Sequence, residues 1–259
     1  MKKLTISALA IALTSIATTS VMAQSTKTNA WEGAYAQAGV GYGMFVPSIG
    51  SGTATTATPT ALKNAGYQST INQNISASDV NNVSTGIAAL AAGYNFGINS
   101  EWILGLAASY YPGASAGATG TLNIASTSLT NSNPLLPNYP ISGQSSVATY
   151  QVKNLYSIVA TPGYALDKDR LVYAKVGYTG ATIGLSTSTV AYNTTNLHGF
   201  TVGLGYKQIL TGSIYAFGEV NYASYGNSTA SATNVTGTAI SAPIKGTGTD
   251  LLVGIGYRF

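Results

Sequence analysis

Eight segments of this chain alternate between apolar side chains on one parity and small or polar ones on the other. That period-2 pattern is the signature of strands with two different faces. The first covers 33–45, with Ala38, Val40, Tyr42 and Met44 on one face and Gln37, Gly39, Gly41 and Gly43 on the other. The second covers 84–96, with Leu90, Tyr94 and Phe96 opposite Ala89, Gly93 and Asn95. The third, 102–111, puts Trp102, Leu104, Leu106 and Tyr110 together. The fourth, 149–165, sets Val152, Tyr156, Ile158 and Tyr164 against Gln151, Lys153, Ser157 and Thr161. The remaining four, at 171–183, 197–209, 213–225 and 247–259, repeat the scheme. Every charge within these strands lies on the face without the apolar stripe.

The connections alternate as well. Residues 46–83, 112–148 and 226–246 are long and 184–196 is intermediate, whereas 97–101, 166–170 and 210–212 are short. An even number of strands joined alternately by short turns and long loops is the plan of an up-and-down barrel. A soluble barrel would place its polar residues outside. Here the apolar stripe is outside, and charged residues make up only 7% of the chain, against about 25% in soluble domains. The expected fold is therefore all-β: a transmembrane eight-stranded antiparallel up-and-down β-barrel, with short periplasmic turns and long extracellular loops.

The amino terminus carries an address. Lys2 and Lys3 precede the apolar run Leu4–Ala17, and Val21-Met22-Ala23 forms a small-residue cleavage site. Residues 1–23 read as a signal peptide cut after Ala23, 24–32 as a short periplasmic segment, and 33–259 as the barrel. Cleavage leaves nine basic residues against seven acids, so the mature charge of +2 offers no nucleic-acid footprint. The destination implied is the bacterial outer membrane.

Aromatic side chains gather at strand ends. Tyr94, Phe96, Trp102, Tyr164 and Tyr206 fall beside the short turns and form an expected periplasmic girdle. Tyr42, Tyr110, Tyr178, Phe200 and Tyr222 fall near the loops. Two such belts match the two interfaces of a bilayer.

Trp31-Glu32-Gly33-Ala34-Tyr35, Gly93-Tyr94-Asn95-Phe96, Tyr173-Ala174-Lys175-Val176-Gly177-Tyr178, Gly203-Leu204-Gly205-Tyr206 and the closing Val253-Gly254-Ile255-Gly256-Tyr257-Arg258-Phe259 carry a family resemblance. The chain resembles the small outer-membrane β-barrel family of OmpA-like and opacity-type surface proteins, also called porin family proteins. The resemblance implies that Val253, Ile255, Tyr257 and Phe259 act as a C-terminal assembly signal. It also implies periplasmic chaperones and the barrel-assembly machinery as partners, with lipid and lipopolysaccharide around the barrel. The family often places an inward acid in the third strand, where Ala107 stands here.

Inward faces decide what such a barrel can do. Lys153, Lys175, Lys207 and Arg258 are expected in the lumen with Glu219 and Asp250, and buried charges demand partners. Similar depth predicts contact of Glu219 with Lys175, with Arg258 or Lys207 competing. Large inward residues on some walls facing Gly and Ala on others would fill the interior. The expected role is mainly structural, in membrane integrity. The alternatives are a small passive channel with weak anion preference, and an adhesin or receptor whose loops meet a host or phage ligand.

Catalysis is not expected. There is no Cys, and His198 is the single His and faces outward by parity with Phe200. No metal or cofactor is expected either, and the barrel should be a monomer. The loops are rich in Ser, Thr, Ala and Asn and almost free of charge, which predicts mobile, solvated segments without a marked site.

Overall fold

The computed structural model describes residues 27–112 and 117–259, so the signal peptide and its cleavage site at Ala23 lie outside the described residues. Eight long strands appear where alternation places them. They are β1 (Gly33–Ile49), β4 (Val83–Gly97), β5 (Trp102–Tyr111), β9 (Gln144–Ala165), β10 (Arg170–Thr187), β11 (Asn193–Thr211), β12 (Ile214–Thr233) and β13 (Ala239–Arg258). Each pairs antiparallel with the next, and β1 closes on β13 from Tyr35↔Arg258 to Ile49↔Ile244. The ring leaves no unpaired edge at this level, which removes the aggregation hazard of an open sheet.

The long connections are not loose loops. Residues 46–83 contain β2 (Gly52–Ala57), helix α1 (Thr60–Asn64) and β3 (Thr70–Ser78). Residues 112–148 contain β6 (Gly117–Ile124) and the short hairpin β7 (Thr127–Leu129) and β8 (Tyr139–Ile141). This corrects the expectation of mobile segments. The pairing order β13–β2–β3–β6–β9 closes a second eight-stranded ring on the loop side, in which β2, β3 and β6 take the places of β1, β4 and β5. Its physical basis is a weak alternation spelled in Thr, Ser, Asn and Ala. Ala54, Ile71 and Ile75 turn inward and are buried, while Thr53, Asn72, Asn74 and Ser76 beside them are exposed. Among the loop side chains, Leu135 remains 89% exposed at the tip beyond β7.

The turns on the other side are short and locally satisfied. Asn99 Oδ1 accepts from the backbone of Glu101 (2.9 Å) and Trp102 (2.8 Å). In the 166–169 turn, Asp167 accepts from the Asp169 and Arg170 amides at 2.9 and 2.7 Å and from the Arg170 side chain at 2.6 Å. Those donors hold its carboxyl below the usual carboxylate range, the Arg170 side chain contributing most. Gly212, at φ +52°, supplies the left-handed residue between β11 and β12.

The carboxyl end completes the closure. The Phe259 amide donates to Ala34 O at 2.9 Å, and Tyr257, Ile255 and Val253 stand on the outer face beside β1. Deleting Phe259 removes this last rung and the outward ring packed edge-on against Tyr257 at 5.1 Å. The expected outcome is a several-fold lower yield of heat-modifiable barrel in the membrane fraction, read by gel migration. Normal yield would contradict an assembly role for the terminal aromatic.

Candidate functional site: the lumen and its plug

Below the level of the outer aromatic belt, the lumen is crossed by a hydrogen-bonded network. Glu219, on β12, is 4% exposed. Its Oε2 accepts from Lys175 Nζ on β10 at 2.7 Å, and its Oε1 accepts from Tyr173 Oη at 2.5 Å and Gln37 Nε2 on β1 at 3.1 Å. Gln37 Oε1 in turn accepts from Tyr215 Oη at 3.0 Å. Three walls of the barrel are thus tied through one carboxylate, whose acceptor sites are taken by charge-assisted and neutral donors.

The competing cations go elsewhere. Lys207 is buried in a cage of tyrosines, its Nζ 3.9 Å from the Tyr35 ring centre, 4.9 Å from Tyr173 and 5.1 Å from Tyr215. That arrangement replaces hydration by ring faces. Arg258 sits at the turn-side rim, donating to Ala30 O and Gly212 O and lying 5.1 Å over the Trp31 ring. Lys153 is not in the lumen. Asn154, at φ +50°, forms a bulge that shifts register between Gly180 and Thr182 and inverts the parity of β9 above it. Val152, expected outside, is buried inside at 7% exposure, and Lys153 lies outside over the Tyr192 ring at 4.8 Å. Asp250 does face inward, accepting from Asn221 Nδ2 at 2.8 Å.

Trp31 is the residue that the strand pattern missed. It precedes β1, is 1% exposed, and packs edge-on against Tyr215 at 5.7 Å, closing the floor of the barrel. Asn29 and Asn95 hold its backbone at 2.9 Å each. Its place before the first alternating residue put it outside the strand pattern, and only the resemblance of the opening block singled it out. Room for the large rings comes from glycines paired with them on the neighbouring strand, Gly256 with Tyr215 and Gly205 with Tyr173: a β-carbon on Gly256 would lie 2.2 Å from Tyr215, and one on Gly205 2.2 Å from Tyr173. Large inward rings thus lie over glycines of the adjacent strand, rather than against a small-residue wall across the lumen.

His198 stacks on Tyr178 at 5.7 Å on the outer side. Among the described residues, no group of three or more His, Cys, Asp or Glu could hold a metal ion.

The outer surface is the inverse of a soluble one. Val40, Leu106, Leu204, Leu251, Val253 and Ile255 are all more than half exposed. On the turn side Tyr94 and Phe96 pair at 4.8 Å and Trp102 and Tyr164 at 5.1 Å, with Tyr206 on the same rim. An exposed apolar band between aromatic belts, around a closed ring, has hydrocarbon as its solvent. The chain is an outer-membrane β-barrel.

The chain is similar to the outer membrane protease OmpT from Escherichia coli (11% identity, TM-score 0.43, covering 87% of this chain and 97% of that one). It is similar to the outer membrane protein OprG from Pseudomonas aeruginosa (12%, TM-score 0.47, 88% and 97%). It is also similar to Ail, the attachment invasion locus protein of Yersinia pestis (11%, TM-score 0.34, 84% and 99%). No family model and no curated protein matches the sequence.

Proposed function

We propose that this barrel is a structural surface protein of the outer membrane whose lumen does not conduct. The observation that supports this reading is the Glu219-centred network, which ties β1, β10 and β12 together across the interior above the Trp31 floor. A charge pair buried at 6% and 4% exposure, with every Glu219 oxygen engaged, is a closed plug rather than a lining for mobile ions. The charge balance also argues against an anion path. With Lys153 outside and Arg258 bound at the rim, Lys175 and Lys207 face Glu219 and Asp250, two charges of each sign. The barrel's work is then to fill and brace the membrane and to hold a folded β crown outside it.

Planar-bilayer recording tests this. Folded protein, verified by heat-modifiable migration, is expected to show no unitary steps across a wide voltage range. Reproducible steps from the wild-type chain would overturn the reading. A reversal potential favouring anions would restore the channel alternative.

A further inference from the structure

Above the plug the lumen changes character. One apolar cluster on the loop side contains two hollows, of about 90 Å³ and about 70 Å³. The outer one is lined almost wholly by apolar surface, including Ile49, Leu122, Leu185, Val190 and Ile244. The inner one is walled by Phe45, Val83, Ile87, Val152, Leu155 and Tyr225, and it carries a single ionisable acid, Asp250.

Asp250 is the under-engaged charge of the lumen. Its Oδ1 accepts from Asn221 at 2.8 Å, and among the described residues no cation lies within 4.0 Å of it. A carboxylate can accept about four hydrogen bonds, so most of its capacity is open. The opening is built by glycine. Gly43 stands opposite Asp250 in the β1–β13 ladder, and Gly248 opposite Phe45. A β-carbon on Gly43 would lie 3.2 Å from Ile87 and 3.8 Å from the Asp250 side chain, inside the hollow. Phe45 and Tyr225, with ring centres 5.7 Å apart, add two aromatic surfaces to the same wall. Leu251, the next residue after Asp250, pairs with Tyr42 of the outer aromatic belt, so the hollow lies at the extracellular interface.

We propose that this inner hollow binds a small organic cation, a protonated amine with a short apolar body, taken from the extracellular side. The ammonium group would meet the Asp250 carboxylate and the aromatic surfaces of Phe45 and Tyr225, and the hydrocarbon part would lie against Val83, Ile87, Val152 and Leu155. An anion is repelled there, and a neutral ligand leaves the carboxylate without a counter-charge. This inference goes beyond the structural role and stands whether or not the lumen carries current.

The test is calorimetric titration of the full chain, purified from outer membranes in detergent, with propylammonium chloride as the probe. Saturable one-site binding of the amine is expected, at least tenfold tighter than propanol of the same shape. That comparison needs no variant. Asp250→Asn is expected to lose at least tenfold in amine affinity, and Gly43→Leu, which fills the hollow and keeps the carboxylate, is expected to lose it too. Both variants are first checked for heat-modifiable migration. No saturable amine binding, which would mean that water alone occupies the hollow, overturns the proposal. So does alcohol binding as tight as amine binding, or undiminished affinity in folded Asp250→Asn.

Discussion

Glu219→Leu is expected to destabilise the folded barrel by about 3–5 kcal/mol, the cost of stripping one partner from a buried ion pair. The loss is more than one contact. Lys175 would remain 6% exposed with no acceptor, and Tyr173 and Gln37 would each lose the oxygen to which they donate. Lys207, in its tyrosine cage, would lose the nearby negative charge that balances it. Lys175→Met alone should be costly for the mirror reason, leaving a buried carboxylate short of its only ion-pair partner. The double variant Lys175→Met/Glu219→Leu is expected to recover much of the loss, because apolar groups of similar volume need no counter-charge. Urea titration of the folded and unfolded gel bands measures all four proteins. Additive single effects in the double variant, or a Glu219→Leu midpoint equal to wild type, would show that the pair does not act as a unit.

The second large effect is steric. Gly256→Ala places a carbon 2.2 Å from the Tyr215 ring and 2.4 Å from its hydroxyl, and Tyr215 is fully buried. The ring cannot retreat toward the floor, because Trp31 is packed against it. Overpacking of this kind costs about 1–3 kcal/mol, and displacement of the Tyr215–Gln37 hydrogen bond adds about 1 kcal/mol. Gly218→Ala is the control. It lies on the lipid-facing parity of β12, and a β-carbon there meets only Leu252 O at 4.0 Å, so a change within about 0.5 kcal/mol is expected. Equal unfolding midpoints for the two variants would refute the view that inward glycines are holes cut for tyrosine rings.

The division between what sequence shows and what it hides follows from the periodicity. Where a strand has hydrocarbon on one side and a packed lumen on the other, residue type alternates sharply, and Val40, Leu106 or Ile255 announce the outer face. Parity also placed Glu219 and Lys175 in the lumen, and similar depth brought them together. Parity fails wherever one residue is inserted. Asn154 adds that residue, and every assignment on β9 above it inverts, which moved Val152 in and Lys153 out. An Asn can adopt the left-handed backbone, but nothing local marks this Asn among its neighbours. Trp31 was hidden for another reason: it packs into the barrel interior from a segment that is not a strand. In the loops, water lies outside and a thin apolar interior inside. Thr and Ser then serve as strand residues, and a pattern that reads as flexible linker folds as β2, β3 and β6.

The shared strands of the two rings set how far this protein reaches. β12 has 20 residues. At about 3.3 Å per residue and a tilt of about 40° it rises about 50 Å, roughly twice the apolar band of such barrels. The upper half is therefore a stalk whose surface is assembled from stretches distant in sequence, since β6 pairs with β3 on one side and β9 on the other. An antibody raised against an isolated β6 peptide, 117–124, would meet its target with both edges already occupied. The surface around β6 is a composite one, spanning β3, β6 and β9, and a β6 peptide alone would reproduce little of it.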